Sequence, residues 1–293
     1  MNKKYIPYLL MLPIMIYTLL LIVYPLVFSA VLAFKKFDPI SGLSLLTMKT
    51  VGWKNFSRNF GDNAFYESLY NTVEIVVIGV IVQFFFSFLL ALALHKKTTL
   101  YSGTALTLIL TPLVVPMVAS GLTWRMLFHL EYGAINGIIG FFGFEAVNFL
   151  GDPSLVRLSI ILVDTWQWTP FMFLLLLAGL LSLPKEPFLA ASVDGAGPIR
   201  KFIYVTFPLM APISIGAIII RLIEASKIMD TVYVLTSGGP GTSTETSSYY
   251  IFVKGLREFQ FGYSAALSFT YLIIMIISLT IISKLLVKIL IKK

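Results

Sequence analysis

The chain has 293 residues, of which 58% are hydrophobic, and its mean hydropathy is +0.89. A soluble chain of this length would form about two domains, but this composition is typical of an integral membrane protein. The net charge of +8 would point to nucleic acid in a soluble protein; here it reports topology, and no nucleic-acid partner is expected. Cysteine is absent, which excludes disulfides, Cys-based metal sites and thiol nucleophiles.

The apolar runs predict an all-α, polytopic membrane protein with six transmembrane helices. A bilayer core of roughly 30 Å takes about 20 mostly apolar residues per helix. Six runs meet that length: 6–34, 72–94, 104–128, 156–182, 205–228 and 263–287. The first run follows two lysines, as in a signal peptide, but it is long and lacks a convincing cleavage site, so a retained helix is expected. No linker separates a soluble part, and residues 1–293 are interpreted as a single transmembrane domain.

The distribution of charge predicts that the N- and C-termini are cytoplasmic. With the N-terminus inside, the internal segments carry 11 of the 22 basic residues but only two of the 14 acidic ones. The basic residues alone are evenly split, and acidic residues weigh little in the positive-inside rule, so the orientation depends on the acids. The external segments are then about 35–71, 129–155 and 229–262. The first mixes polar and aromatic residues, which fits either an interfacial lid or an aromatic belt.

The fourth apolar run holds a candidate solute site. Asp164, Gln167 and two tryptophans, Trp166 and Trp168, fall within five residues. Sugar hydroxyls bind such acceptors and donors, and the apolar faces of a sugar ring pack on aromatic rings. The alternative is structural: an ion pair between Asp164 and Arg221, with the tryptophans at the interface. The two interpretations are compatible.

Four charged residues follow one another every three positions in and after the fifth run: Arg221, Glu224, Lys227 and Asp230. That spacing predicts one slowly drifting helical face. Ionisable side chains at membrane depth are costly and usually face a bundle interior or a watery cavity. For the deeper Arg221 and Glu224 we expect a place beside a polar solute. For Lys227 and Asp230 a ladder of alternating charges that satisfies itself is equally consistent.

A polar stretch at about 183–210, called the coupling loop below, lies between the fourth and fifth runs on the predicted cytoplasmic side. Pro184 and Pro187 limit helix continuation there, and Asp194 is a candidate cap. Gly195 and Gly197 allow another backbone to come close. A short amphipathic element in this loop fits a partner's groove, although an ordinary loop on the membrane surface fits the bare pattern equally well.

The chain lacks the motifs of an enzyme. There is no phosphate-cradling G-x-x-x-x-G-K-[ST] loop, no nucleophile with its base, and the two histidines, His95 and His129, lie in different loops. We therefore expect no catalytic residue, cofactor or metal, with ATP hydrolysed on a separate chain if transport is ATP-driven. The alternative is a secondary transporter or channel driven by an ion gradient, with Asp164 and Glu224 as cation sites.

The order of motifs along nearly the whole chain resembles the permeases of ATP-binding-cassette (ABC) importers, in the maltose-permease-like branch that takes up carbohydrates. The likeness is carried by these residues: Pro112, Pro116, Trp124, Tyr132-Gly133, Asn136, Asp152-Pro153, Trp166, Pro170, Arg221 to Ala225, Gly238-Gly239-Pro240-Gly241 and Gly262-Tyr263. The coupling loop resembles the "EAA" loop of these permeases, with Leu189 in the place of the motif's Glu. There an apolar contact with the ATPase is expected to replace a polar one.

The resemblance implies a type I importer permease in the cell membrane that translocates a sugar-like solute: an oligosaccharide, a monosaccharide or a polyol. It further implies an extracytoplasmic solute-binding protein, a second homologous permease and two ABC ATPase subunits, in membrane lipid. The implied solute-binding positions are Asp164, Gln167, Trp168, Phe171, Arg221, Glu224, Ala225 and Ile228. The implied ATPase-coupling positions are Leu189, Ala190, Ala191, Asp194, Gly195 and Gly197. An indole at position 168 is expected to favour a small sugar or polyol.

Overall fold

The structure, a computed structural model, describes residues 6–37, 48–95 and 100–291. The described residues are mostly helical, and their one β feature is an isolated antiparallel bridge between Lys35 and Thr50. In a bilayer every backbone polar group needs an internal partner, and a helix supplies these partners within one segment. The all-α prediction is confirmed. Some lysines used to predict the topology lie outside the described residues: Lys3, Lys4, Lys96, Lys97, Lys292 and Lys293.

The α-helices are numbered in chain order over the described residues. They are α1 (Ile6–Thr18), α2 (Tyr24–Ala33), α3 (Lys54–Asn59), α4 (Asn63–Leu94), α5 (Leu100–Val114), α6 (Met117–Leu127), α7 (Ala134–Phe141), α8 (Val156–Leu181), α9 (Glu186–Val193), α10 (Pro198–Lys201), α11 (Phe207–Ala225), α12 (Asp230–Leu235), α13 (Ser247–Phe252) and α14 (Phe261–Leu290). Short π-helical turns occupy Leu19–Val23, Phe202–Thr206 and Val253–Arg257.

Helices long and apolar enough to cross a membrane correspond to the predicted runs. Five continuous spans meet the criterion: Leu10–Ala33, Asn63–Leu94, Val156–Leu181, Pro198–Ala225 and Phe261–Leu290. A sixth span results if the bent pair formed by α5 and α6 is counted as one. The six predicted transmembrane segments therefore all have a helical counterpart.

The third predicted run, 104–128, is broken rather than continuous. Its two halves, Gly103–Val114 and Met117–Leu127, are bent by 98°. Pro116 has no N–H to donate, and it disfavours the helical conformation for the residue before it. The helix therefore stops at Val114 and restarts after the proline.

Two predicted boundaries shift in the structure. Helix α4 begins at Asn63, nine residues before the predicted run at 72, because polar and aromatic residues continue the helix beyond the apolar stretch. Helix α11 ends at Ala225, three residues before the predicted end at 228. The segments predicted as external also contain helices, with α3 in the first, α7 in the second, and α12 and α13 in the third.

The chain divides into two compact units. The first comprises Met1–Phe65 and Tyr250–Ile274. In it Leu32, Ala33, Ala265 and Ala266 form a small buried cluster. Small alanine side chains let helix backbones approach closely, which is how helices associate when lipid removes the hydrophobic driving force.

The second unit comprises Tyr66–Tyr249 and Met275–Lys293. Helix α8 packs against α5 and α11, and α6 packs against α12. Gly179 on α8 permits the contact with α11, since a Cβ there would come within 2.8 Å of the Ile213 side chain. Both candidate sites lie within this unit. The expectation of a single domain over residues 1–293 stays a prediction.

Candidate functional site

Three side chains from three helices meet in the buried interior of the second unit. Asp164 on α8 is 6% exposed, Arg221 on α11 is 1% exposed, and Gln83 on α4 is fully buried. The Arg221 guanidinium forms an ion pair with the Asp164 carboxylate. The Gln83 amide donates to Asp164 Oδ2 at 2.7 Å and accepts from Arg221 Nε at 2.7 Å. The charge pair predicted as an alternative is therefore present.

Gln83 makes this arrangement more than a two-residue bridge. A buried ion pair repays its desolvation only when further hydrogen bonds satisfy the remaining polar atoms. The Gln83 amide supplies both a donor and an acceptor, so it links the carboxylate and the guanidinium. The sequence analysis missed Gln83, although an amide within an apolar run is a signal of polar contact at membrane depth.

Two aromatic side chains continue the cluster along α8. The Arg221 guanidinium carbon lies 4.7 Å from the centroid of the Trp168 ring, within the range of a cation–π interaction. Trp168 in turn meets Phe171 edge-to-face, with ring centroids 5.9 Å apart. Both rings are half-buried, whereas the charged groups beneath them are covered. We refer to Gln83, Asp164, Trp168 and Arg221 as the Asp164 cluster.

Gln167 does not join the Asp164 cluster. Its amide nitrogen donates to the backbone carbonyls of Pro112 at 2.6 Å and Val115 at 2.8 Å. These carbonyls lie at the break between α5 and α6, where Pro116 has no N–H to donate and the Pro112 carbonyl accepts only a 3.3 Å backbone hydrogen bond from Val115. Gln167 therefore holds the broken span against α8. The sequence placed the prolines and Gln167 in separate motifs and gave no sign that they touch.

The prediction that all four charged residues share one helical face is wrong, but one pair of the alternative ladder, Glu224 with Lys227, is present. Helix α11 ends at Ala225, so Lys227 and Asp230 do not share a helical face with Arg221. Arg221 is directed to Asp164, while Glu224 pairs with Lys227 at 2.8 Å in an exposed position. Asp230 is exposed at the start of α12.

Ala225 and Ile228 complete the predicted solute-binding set. Both are buried within the chain, at 3% and 8% exposure. The structure thus brings together four of the predicted positions by direct contacts. The four that meet are Asp164, Trp168, Phe171 and Arg221.

The coupling loop folds into helix α9, a glycine turn and helix α10. Helix α9 closes with a Schellman motif, in which the amide of Ala196 donates to the Ala191 carbonyl at 2.9 Å and that of Gly195 to the Ser192 carbonyl at 3.2 Å. This motif needs a left-handed residue, and Gly195 has φ +71°. Asp194 is the C-cap residue of α9, and its backbone amide donates to the Ala190 carbonyl at 3.0 Å.

The outer surface of the coupling loop carries exposed apolar side chains. Leu189 is 65% exposed and Val193 is 89% exposed on α9, with Ala190 exposed and Ala191 half-buried beside them. Gly197 precedes α10 with φ −68°, and a Cβ at Gly195 or Gly197 would meet no atom of the described residues within 4 Å. This surface is therefore exposed. It has apolar side chains at its centre and two glycines, which carry no side chain, beside them.

Comparison with known proteins identifies the class. Residues 83–293 match the family model described as "Binding-protein-dependent transport system inner membrane component". The sulfoquinovosyl glycerol transport system permease protein SmoG of Agrobacterium fabrum is 35% identical over 268 residues, which cover 92% of this chain and 86% of the relative. The trehalose/maltose transport system permease protein MalF of Thermococcus litoralis is 35% identical over 233 residues, covering 79% of this chain and 78% of the relative.

Solved structures share the fold. A chain of a bacterial ABC transporter involved in the import of the acidic polysaccharide alginate superposes with a TM-score of 0.85 at 20% identity, covering 98% of this chain and 97% of that one. A second structure is of the alginate ABC transporter in complex with an alginate pentasaccharide-bound periplasmic protein. It gives a TM-score of 0.83 at 20% identity and covers 98% and 95% of the two chains.

The chain belongs to the family of inner-membrane components of binding-protein-dependent transport systems. It is a multi-pass permease subunit of an ABC importer, and its helices follow the fold of an importer permease. The sequence-based identification of the family is confirmed.

Proposed function

We propose that this permease imports a sugar or sugar-like solute that a solute-binding protein delivers, together with a second permease and two ABC ATPase subunits. Relatives with 35% identity are named for the transport of sulfoquinovosyl glycerol and of trehalose and maltose. The observation that carries the proposal is the Asp164 cluster, a covered charge pair beneath two half-buried aromatic rings. Buried charges at membrane depth usually mark a solute path.

Within this site the proposed role of each residue follows from its exposure. Trp168 and Phe171 are half-buried, so their rings can pack against the apolar face of a sugar. Arg221 is covered, and it acts by fixing Asp164 and by supporting the Trp168 ring from 4.7 Å. The other proposed contacts come from neighbouring positions: Gln167, Glu224, Ala225 and Ile228.

Uptake kinetics of Trp168 variants test the solute site. Trp168→Ala removes the stacking ring and should raise the apparent KM about fivefold, since an aromatic contact contributes on the order of 1 kcal/mol. Trp168→Phe should keep most of the affinity. Trp166→Ala is the matched control, because Trp166 lies on the same helix and packs edge-to-face on Trp124 at 5.7 Å. An unchanged KM in Trp168→Ala, with normal assembly, would reject the site.

The coupling loop is proposed to dock on an ATPase subunit through α9 and the glycine turn. Leu189 is expected to make an apolar contact there, since 65% of its surface is free in this chain. Leu189→Glu should preserve the complex, because a charge-assisted hydrogen bond can replace modest apolar burial. Affinity capture of the ATPase by each variant measures this. Complete loss of capture with Leu189→Glu would mean that the facing pocket accepts apolar groups only.

The proposed orientation places both termini and the coupling loop in the cytoplasm. Because the natural chain has no cysteine, single cysteines can be introduced without background. A membrane-impermeant thiol reagent added to intact cells should label a cysteine at Ser243 and spare one at Ser192. The reverse pattern would invert the topology.

Energy coupling separates this proposal from an ion-driven transporter. Uptake in proteoliposomes should require internal ATP and stop with vanadate, and it should survive an ionophore. Collapse of uptake by the ionophore alone would favour a cation-coupled mechanism at Asp164 and Glu224.

A further inference from the structure

A cavity of about 710 Å³ lies between the coupling loop and the ends of two membrane helices. Its walls are apolar, with Leu92 from the end of α4, Leu180 from the end of α8, and Phe188 and Phe202 from the coupling loop. A cavity of this size is within the range that holds a small ligand. The solute site described above does not include it.

Basic and apolar groups share this cavity. Lys185, Lys201 and His95 line it together with the hydrocarbon side chains, and the described lining residues include no carboxylate. Lys201 is held in place by a 2.7 Å hydrogen bond from its Nζ to Ser192 Oγ. His95 is likewise fixed, with Nδ1 2.7 Å from the Leu92 carbonyl oxygen.

The cavity lies where an amphiphilic ligand such as a lipid could reach it. Helices α4 and α8 end at Leu94 and Leu181, where their apolar runs stop and the interfacial region of a bilayer begins. Basic pockets between transmembrane helices on the cytoplasmic side bind the head groups of anionic lipids. An acyl chain fits the apolar wall, and a phosphate fits the lysines.

We propose that this cavity binds one anionic phospholipid of the cytoplasmic leaflet, with its phosphate at Lys185 and Lys201 and its acyl chain against Leu180 and Phe202. The lipid would fill the space behind α9. Leu189 also lines this cavity, so it would contact both the lipid and the ATPase, while Val193 and Gly195, which do not line it, stay free for the ATPase. The proposal goes beyond the proposed function and takes from it only the side of the membrane.

Lipid retention by the purified complex tests this proposal. Native mass spectrometry would compare phosphatidylglycerol with phosphatidylcholine of the same chain length. Lys185→Gln combined with Lys201→Gln should weaken phosphatidylglycerol binding about thirty-fold, which corresponds to roughly 1 kcal/mol for each lysine. Lys→Arg at both positions should retain binding. The matched control is Lys284→Gln with Lys288→Gln on α14, two lysines that do not line the cavity.

Each contrary result has a distinct meaning. Equal retention of both lipids by the natural protein, or unchanged retention by the double Gln variant, would overturn the site. Displacement of phosphatidylglycerol by inorganic phosphate would make it a free-anion site instead. If the double Gln variant loses the ATPase in phosphatidylcholine vesicles, the cavity belongs to the protein partner. Retention is read without transport, so a failure of the proposed solute would leave this test intact.

Discussion

The Asp164 cluster and the coupling loop differ in the exposure of their distinctive residues. In the Asp164 cluster every charged group is covered and has a partner within the chain, with Arg221 1% exposed. In the coupling loop the distinctive residues face outward, with Val193 89% exposed and no atom of the chain near a Cβ at Gly195. Substitutions in the Asp164 cluster should therefore affect contacts within this chain, whereas substitutions in the coupling loop should affect contacts with a partner.

This contrast predicts two kinds of defect. A change in the Asp164 cluster leaves a polar group unsatisfied in a low-dielectric interior, so it should lower the amount of folded complex. A change on the outer face of the coupling loop removes nothing from this chain's interior, so it should alter function at normal abundance. The variants below test whether the two regions separate in this way.

Breaking the buried ion pair should have the largest effect. Arg221→Ala leaves the Asp164 carboxylate buried without its cation, and loss of one buried partner costs about 3–5 kcal/mol. Little assembled permease should remain by size-exclusion chromatography of the detergent extract. Replacing both partners, with Asp164→Leu and Arg221→Met together, should restore part of the assembly, because it removes the uncompensated charge and leaves only the neutral Gln83 amide without its two partners.

The exposed pair of Glu224 and Lys227 is the control for this prediction. It joins two charged side chains at 2.8 Å with far greater exposure, so Lys227→Ala should cost less than about 1 kcal/mol. Assembly of Arg221→Ala at the natural level would contradict the buried-pair argument. If the double variant assembles but its apparent KM rises, the pair also contributes to the solute site.

Gln167 should show the next largest effect. Gln167→Leu removes the donor to the Pro112 and Val115 carbonyls, and an unsatisfied buried acceptor costs about 1–3 kcal/mol. Thermal unfolding in detergent should detect the loss. Thr169→Val on the same helix is the control, because the Thr169 hydroxyl is buried without a hydrogen-bond partner, and its removal should be neutral or stabilising. Equal behaviour of the two variants would remove Gln167 from the support of the broken span.

The helices could be predicted from the sequence because bilayer thickness fixes the length of an apolar run. The pairing of Asp164 with Arg221 also followed, since a buried cation and a buried anion at similar depth have few other partners. The break at Pro116 could not be predicted from the sequence, because prolines are also tolerated within continuous transmembrane helices. Its consequence, the role of Gln167, depends on a contact between distant segments.

The prediction of one helical face for the four charged residues failed for a local reason. A spacing of three residues indicates one face only while the helix continues, and α11 ends at Ala225 without a glycine or proline to signal it. Gln83 was missed for the opposite reason, since one amide in α4 has no partner within its own segment. Both errors concern information that only tertiary structure supplies.

The glycine turn of the coupling loop should affect coupling rather than folding. Gly197→Ala is compatible with φ −68° and meets no atom in the part of the chain that the structure describes, so we expect any defect to report a partner. Gly195 differs, because φ +71° strains any residue with a Cβ by about 1–2 kcal/mol, although Asn tolerates this region well. We expect Gly195→Asp, Gly195→Asn and Gly197→Ala each to reduce solute-stimulated ATPase activity of the reconstituted complex.

The three glycine variants separate crowding from backbone strain. If Gly195→Asn and Gly197→Ala keep natural stimulation while Gly195→Ala loses it, the turn conformation alone explains the glycine. Loss of stimulation in Gly197→Ala with normal thermal stability would show that a partner backbone lies within reach. Natural stimulation in Gly195→Asp would contradict both explanations.

The smallest predicted effect concerns the carboxylate of Asp62, which is half-buried, between the covered Asp164 cluster and the exposed coupling loop in its exposure. Burial alone would raise its pKa, but hydroxyl hydrogen bonds from Tyr263 and from Tyr250 at 2.7 Å lower the pKa below the ordinary value of 3.8. The nearby Lys254 ammonium acts in the same direction. The ionised form therefore stabilises the fold.

A depressed pKa in the folded state gives stability that is present above the unfolded pKa and is lost as the pH falls through the folded value. Asp62→Asn should therefore be less stable than the natural protein at neutral pH, by less than about 1 kcal/mol because the group is partly exposed. The difference should shrink below about pH 4. Thermal unfolding of both proteins across this range measures it, and Tyr250→Phe, which removes one donor, should show a smaller difference with the same sign. A gap between Asp62→Asn and the natural protein that widens in acid would mean that the hydroxyl hydrogen bonds favour the protonated carboxyl.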